Sequence, residues 1–123
     1  MTKAILLVED EFLLREATCE DLRELGYEPI CASRADEAWE VLASEAAIGS
    51  LITDIRMPGE WDGWELARQA RTVRPGLGVV YVSGYSDVEI QPVPGGIFLK
   101  KPYRFNDIRD ALQRLGAGDS GAN

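Results

Sequence analysis

Apolar residues occur along the chain in two patterns, short unbroken runs and stripes that recur every three or four positions. Unbroken apolar runs of strand length are typical of the central strands of parallel sheets, which are buried on both faces. The segment Glu28–Ala32 is less apolar and contains a proline, which favours a strand at the sheet edge. We therefore predict five strands, at Ala4–Val8, Glu28–Ala32, Ser50–Asp54, Gly78–Val82 and Gly96–Leu99.

The stripes between these runs predict amphipathic helices. The first helix spans Glu11–Leu25 and is followed by Gly26 as its C-terminal cap. The second begins after Ser33, which we expect to form a reciprocal cap with Asp36. The third begins at Asp62–Gly63 and ends at Pro75–Gly76, and the last is capped by Asn106. The predicted inward-facing residues are Leu14, Ala17, Asp21 with Leu22, and Leu25; Ala35, Ala38, Trp39 and Leu42; Leu66, Ala67, Ala70 and Val73; and Ile108, Ala111, Leu112 and Leu115.

The segment between the fourth and fifth strands is short and rich in proline and glycine. It leaves room for about one or two helical turns, which we place around Asp87–Ile90. Repeated strand–helix units with right-handed crossovers then predict an α/β fold, a doubly wound five-stranded parallel sheet whose fourth helix is short or absent. Residues 1–116 would form this single domain, and the small, polar residues 117–123 a flexible tail.

Composition narrows the range of partners. With 21 acidic and 13 basic residues the chain has a formal net charge of −8, which disfavours binding to nucleic-acid phosphates. No apolar stretch approaches membrane-spanning length, and Glu9–Glu11 interrupts the first apolar run where a signal peptide would continue. We therefore expect a cytoplasmic protein that binds neither nucleic acid nor membrane, with Cys19 and Cys31 reduced.

Polar residues that could carry chemistry stand where the predicted strands end. Glu9 and Asp10 follow the first strand, Asp54 ends the third, Ser83 follows the fourth and Lys101 follows the fifth. Parallel strands bring their carboxyl ends to one edge of the sheet, where ligands bind in open α/β folds. Carboxylates within roughly 5 Å repel by about 3 kcal/mol per pair at an effective dielectric of about 20, so a cation is expected between them. Carboxylate oxygens in a chain without histidine favour Mg²⁺.

The ordered set Glu9–Asp10, Asp54, Ser83 and Lys101–Pro102 resembles the receiver domain of two-component response regulators, over about residues 3–115. The resemblance implies a flavodoxin-like sheet of order 2-1-3-4-5 and a phosphoprotein of a signalling phosphorelay. Such a domain is a switch and not an enzyme, apart from its own phosphorylation and dephosphorylation. Its partners would be a sensor histidine kinase or histidine phosphotransfer protein and an output protein that the sequence does not identify, with the domain a monomer or weak homodimer.

Matching positions in the receiver family imply a role for each residue. Asp54 would be the phosphoacceptor, and Asp10, Asp54 and the backbone carbonyl of Arg56 would bind Mg²⁺ directly. Glu9 would act on the metal through water. Lys101 would pair with the phosphoryl group, and its bond to the following proline is expected to be cis.

The resemblance also implies a conformational switch. The phosphoryl group would attract the Ser83 hydroxyl, rearrange the loop behind it and reorient Phe98, giving two packings of the face formed by the fourth and fifth strands. The first helix lies where kinases dock in this family. Its candidate contact residues are Phe12, Leu13 and Arg15.

Two features depart from the common receiver pattern. The segment Gly59–Gly63 has one residue more than usual between the proline and the Asp-Gly pair, so we expect a rebuilt turn covered by Trp61. The shortened fourth helix alters the usual output surface. Such forms, with a Ser-Gly-Tyr segment, resemble receivers attached to hybrid sensor kinases or standing alone, and Trp61 and Tyr85 become candidates for partner contact.

Other interpretations stay open. A receiver-shaped binding module that never takes phosphate would not need every acidic, hydroxyl and lysine position that is present here. An aspartate-nucleophile phosphohydrolase typically has a second aspartate where Arg56 stands, and it needs a cap segment for its substrate. Each motif taken alone also has an ordinary structural interpretation. Glu9–Glu11 could be the acidic start of a helix, Ser83–Gly84 an ordinary turn, and Phe98 an aromatic residue packed in the core. With no DNA-binding domain after the last helix, direct control of transcription is not expected.

Overall fold

The computed structural model describes residues 4–84 and 91–116, which build one five-stranded parallel sheet. Its strand order is β2-β1-β3-β4-β5, so the predicted doubly wound fold and its order are confirmed. The edge strand β2 is half exposed, as its proline predicts, whereas β1 is buried along its whole length. The strands are β1 (Ala4–Val8), β2 (Glu28–Ala32), β3 (Ile48–Asp54), β4 (Gly78–Ser83) and β5 (Ile97–Lys100).

Helices cover both faces of this sheet, and each face has its own apolar core. Residues of α2 and α3 pack in one core with β3 and β4, and residues of α1 and α4 pack in the other. Burial on both faces explains why the central strands read as unbroken apolar runs. The helices are α1 (Phe12–Glu24), α2 (Ala35–Leu42), α3 (Gly63–Val73) and α4 (Phe105–Arg114). No helix in the described ranges is long and apolar enough to cross a membrane.

The described residues between β4 and β5 contain no helix. Two hydrogen bonds attach the described part of this segment to β4 and α3. The amide of Val93 donates to the buried hydroxyl of Tyr81 at 3.0 Å, and the guanidinium of Arg71 donates to the carbonyl of Pro94 at 2.9 Å. The predicted turns at Asp87–Ile90 and the tail at 117–123 lie outside the described residues.

Helix α1 buries Leu22 and packs Leu25 on the core as predicted, but the prediction for Ala17 is wrong. Thr18 and Leu22 are buried, whereas Ala17 is exposed. The Thr18 side chain tolerates burial because its hydroxyl shares a hydrogen bond of 2.8 Å with the hydroxyl of Tyr103. In α3, Leu66, Ala67 and Ala70 are buried as predicted, but Val73 in the last turn is exposed.

The prediction of reduced cysteines is wrong. Cys19 of α1 and Cys31 of β2 form a disulfide. Helix α1 packs beside the edge strand β2, and this packing brings the two sulfur atoms together. Their separation of 12 positions along the chain carries no sign of it.

The predicted caps of α2 and α4 are also wrong. At α2, Glu37 and not Asp36 accepts hydrogen bonds from the backbone and side chain of Ser33, at 2.8 and 2.9 Å. The helix begins one residue later than the reciprocal cap requires, which moves the receiving carboxylate one residue onward. At α4 the N-terminal cap is Arg104 instead of Asn106, and its backbone N–H donates to Asp107 at 2.8 Å.

Candidate functional site

Asp54 ends β3 at the carboxyl edge of the sheet, and its side chain is almost completely buried. The ammonium group of Lys101, which follows β5, lies 2.7 Å from Asp54 Oδ1. The same ammonium lies 2.9 Å from Oε1 of Glu9, which is 1% exposed at the end of β1. One lysine therefore bridges two buried carboxylates that come from different strands.

A third carboxylate completes an acidic cluster. Ligand oxygens of Glu9, Asp10 and Asp54 all lie within 4.8 Å of one another. Asp10 is exposed, so the cluster opens to solvent on its side. These donors are hard oxygens only, the set that fits Mg²⁺.

The cluster borders a small cleft of about 160 Å³. Ser83, the last residue of β4, lines the cleft and is 3% exposed. Its carbonyl accepts a hydrogen bond of 2.8 Å from the backbone N–H of Lys101, which holds the ends of β4 and β5 together. The full lining is Asp10, Asp54, Arg56, Ser83, Gly84 and Lys101. The structure thus brings the predicted strand-end residues to one place.

The electrostatics of the site centre on Asp54. Burial, and next the neighbouring Glu9 carboxylate, raise the pKa of Asp54 to about 8, although Lys101 opposes this rise. Burial lowers the pKa of Lys101, but its hydrogen bonds to Asp54 and Glu9 outweigh that effect and raise the pKa above its usual range. Lys101 is therefore charged at neutral pH, whereas the Asp54 carboxyl group beside it still holds most of its proton there in the absence of a metal ion.

Glu9 is held by contacts that the sequence pattern does not reveal. Its side chain accepts a hydrogen bond of 3.1 Å from the backbone N–H of Glu11, and its carbonyl accepts one of 2.9 Å from Arg15. Its own N–H donates to the carbonyl of Ala32 at 3.0 Å. Arg15 therefore helps to position Glu9, in addition to its expected place on a docking surface.

Gly63 sets the N-terminus of α3 directly against the end of β3. Its N–H donates to the carbonyl of Ile55 at 2.7 Å. A Cβ at this position would overlap the carbonyl oxygen of Asp54 and would lie 2.8 Å from Ile55 Cα. The preceding Asp62 caps α3 by accepting a hydrogen bond of 2.9 Å from the N–H of Glu65. The glycine thus allows α3 to begin directly against the backbone of Asp54, a role that its sequence position at a helix start did not indicate.

Comparison with known proteins agrees with this arrangement. Residues 5–113 match the family model described as response regulator receiver domain. The chain belongs to the receiver domain family. Receiver domains are the switch modules of two-component signalling, and their phosphoacceptor chemistry is shared across the family.

The receiver is similar to both short and long relatives. It is 32% identical to the response regulator receiver protein CpdR of Brucella abortus, over 92% of this chain and 96% of CpdR. It is 34% identical to the response regulator protein FleR of Pseudomonas aeruginosa, over 96% of this chain and 25% of FleR. A crystal structure of a response regulator receiver protein from Sinorhizobium medicae matches with a TM-score of 0.89 and 36% identity, covering 95% of this chain and 97% of that one.

The structure also shows where three further predicted features of the receiver lie. The Lys101–Pro102 peptide bond is cis. Phe98 is half buried, pairs with Tyr81 across β4 and β5, and packs on the core face of α2 and α3. At the start of α1, Phe12 and Leu13 are 60% and 74% exposed.

The lengthened turn after Asp54 makes an aromatic contact with α2. The ring of Trp61 packs edge-on against Trp39, with a centroid distance of 5.4 Å and an interplanar angle of 82°. Together with Pro58 and Gly59, Trp61 lines a groove that is separate from the acidic cleft. Trp64 is buried against Tyr81 and belongs to the core. Tyr85 lies outside the described residues.

Proposed function

We propose that Asp54 accepts a phosphoryl group from the phosphohistidine of a sensor histidine kinase or a histidine phosphotransfer protein. The observation that carries this proposal is the convergence of three carboxylates within 4.8 Å, with Lys101 2.7 Å from Asp54. A buried carboxylate with one fixed cation beside it, at the mouth of a cleft, is arranged for attack on a phosphorus atom and for neutralising the charge that is transferred.

We propose that the cleft holds Mg²⁺. Asp10, Asp54 and the backbone carbonyl of Arg56 would bind it directly, and Glu9 would act through water. The all-oxygen donor set and the opening beside the exposed Asp10 support this assignment. When bound, the cation supplies positive charge that offsets the carboxylates and the incoming phosphoryl oxygens.

In the reaction, an oxygen of the Asp54 carboxylate forms a bond to phosphorus. The phosphorus–nitrogen bond of the phosphohistidine breaks, and its electron pair leaves with the imidazole nitrogen. The Lys101 ammonium group would shift part of its pairing from the two carboxylates to one phosphoryl oxygen. The Ser83 hydroxyl would donate a hydrogen bond to a second phosphoryl oxygen. In the reverse direction of the switch, water attacks phosphorus slowly and releases inorganic phosphate from Asp54.

Ser83 and Phe98 would connect the phosphorylation site to an output surface. The phosphoryl group adds about two negative charges, which attract Ser83 and change the end of β4. Phe98 lies on the neighbouring strand, in register with Tyr81 of β4, and is the residue that we expect to change rotamer. The domain would thereby change its affinity for an output protein, acting as a monomer or weak homodimer.

Incubation with a small phosphodonor, acetyl phosphate, in the presence of Mg²⁺ tests this function. Intact-protein mass spectrometry should show one added phosphoryl group on the wild-type chain and none on the Asp54→Asn variant. Chelation of the metal should abolish the gain. Lys100→Gln, a change at an exposed neighbouring lysine, is the matched control and should be phosphorylated normally.

The alternatives give different results in the same assay. An absence of mass gain in the wild-type chain would favour a receiver-shaped binding module that is not regulated by phosphate. Sustained release of phosphate from a simple phosphomonoester would favour an aspartate-nucleophile phosphohydrolase. Arg56 stands where such hydrolases need a second aspartate, so we expect no turnover of this kind.

A further inference from the structure

A second concave site lies beside the lengthened turn, on the side of α2. We call it the tryptophan groove, and its volume of about 580 Å³ is typical of ligand-binding pockets. It has apolar walls and a charged rim. The residues used in the argument are Arg34, Asp36, Trp39, Pro58, Glu60 and Trp61.

The walls of the groove are aromatic. Trp39 and Trp61 meet at 82° and are both only partly buried, so each indole retains accessible surface towards the groove. An indole face has negative electrostatic potential and attracts organic cations that lie over it. Pro58 lines the groove from the turn and adds apolar surface.

The rim of the groove is negatively charged overall. Among the described residues that line the groove, Arg34 is the one basic residue, and its guanidinium donates two hydrogen bonds to Asp36, at 2.7 and 2.5 Å. This pairing keeps the pKa of Asp36 low, at about 2. Both side chains are therefore ionised, and their opposite charges cancel. Glu60 is exposed, and none of the ion pairs in the described ranges involves it. The Glu60 carboxylate can therefore pair with a cationic group that binds in the groove.

We propose that the tryptophan groove is a docking site for an arginine side chain of a partner protein. The guanidinium would stack on an indole of Trp39 or Trp61 and pair with Glu60. Arginine fits better than lysine because its planar group is weakly hydrated and stacks on aromatic rings. The groove is larger than one side chain, so apolar residues on either side of the arginine would fill the remainder. Charge complementarity with a chain of net charge −8 favours a basic partner segment.

The proposal does not depend on phosphorylation, because none of its residues belongs to the acidic cleft. It can be tested on the full chain with an acetylated and amidated peptide of sequence Ala-Leu-Arg-Leu-Ala. The control peptide contains citrulline, which keeps the shape of arginine and removes its charge. Binding is followed by ¹⁵N NMR of the indole N–H signals during titration to millimolar peptide.

We expect the indole signals of Trp39 and Trp61 to shift while that of Trp64, which is 3% exposed, stays in place. The arginine peptide should bind on the order of tenfold more tightly than the citrulline peptide. Glu60→Gln should weaken arginine binding about threefold and leave citrulline binding unchanged. The matched control Glu45→Gln, at another exposed acid, should change neither.

Trp61→Ala should abolish the preference for the arginine peptide over the citrulline peptide. Glu60→Gln is the second test variant, because it changes an exposed side chain and leaves the fold intact. Equal affinity for the two peptides would overturn the proposal, since the groove would then recognise apolar surface alone. Shifts that map away from both tryptophans, or no shift at millimolar peptide, would also overturn it. So would a concentration-dependent dimer that Trp61→Ala dissociates, because the groove would then be occupied by a second copy of the chain.

Discussion

At the scale of single residues, the site is a balance between burial and charge at Asp54. Burial and the Glu9 carboxylate favour the protonated acid, whereas Lys101 favours the carboxylate. A carboxyl group must be deprotonated to attack phosphorus, so the proposed reaction needs positive charge in the cleft. Lys101 supplies the part of it that belongs to the protein itself.

Removal of the Lys101 charge should lower the stability of the folded protein. We predict that Lys101→Gln lowers the free energy of unfolding by roughly 3 kcal/mol in metal-free buffer, because it removes the cation that the buried side chains of Glu9 and Asp54 share. Urea unfolding measures the change. Lys100→Gln, at the exposed neighbour, should stay within about 0.5 kcal/mol of the wild type. Equal losses in the two variants would show that Lys101 does not compensate the carboxylates.

The raised pKa of Asp54 also predicts how stability depends on pH. The folded state holds this proton up to a pKa of about 8, whereas an unfolded aspartic acid loses it near its ordinary value of 3.8. Protonation of Asp54 therefore stabilises the folded protein fully at pH values below the pKa of the unfolded state. This stabilisation is lost as the pH rises through the pKa of the folded state. Metal-free protein should melt at a lower temperature at high pH than at low pH within this window. Asp54→Asn should flatten the dependence, and parallel melting curves for the two proteins would contradict the assignment.

At the scale of elements, Gly63 joins α3 to the end of β3 without space for a side chain. We predict that Gly63→Ala destabilises the fold by about 3 kcal/mol, because the new methyl group meets backbone atoms that cannot rotate away. Thermal or urea unfolding provides the measurement. Gly76→Ala is the matched control, since a Cβ there meets nothing within 4 Å. Similar stabilities for both variants would mean that α3 is not seated against Asp54 as described.

The Tyr81 hydroxyl provides one of the two hydrogen bonds that attach the described part of the segment after β4. Tyr81→Phe should cost about 1–3 kcal/mol, because the buried N–H of Val93 loses its acceptor. Hydrogen exchange at the Val93 amide should accelerate more than that at β1 amides. Tyr27→Phe, at a partly buried tyrosine for which the described residues offer no hydrogen-bond partner, should have little effect. Unchanged exchange at Val93 would contradict the proposed anchoring.

At the scale of the whole molecule, sequence patterns predicted the strands, the helices and their order, but they misplaced the caps of α2 and α4. The apolar runs identified five strands, and the residues that end them form the acidic cleft because a parallel sheet gathers those ends. Features that depend on distant partners were not predictable. Burial of Thr18 requires Tyr103, and the cysteine pairing requires α1 to lie beside β2. Gly63 looks like an ordinary helix start until Asp54 is placed behind it.

The central claim is that Asp54, and no other carboxylate of the cluster, receives the phosphoryl group. The most direct measurement is borohydride reduction of the chain after incubation with acetyl phosphate and Mg²⁺, followed by peptide mass spectrometry. Reduction converts an aspartyl phosphate into homoserine and leaves free carboxylates unchanged. The account predicts homoserine at position 54 and an unmodified Asp10. Reduction at Asp10 or Glu9, or no reduced residue in a chain that remains folded, would contradict it.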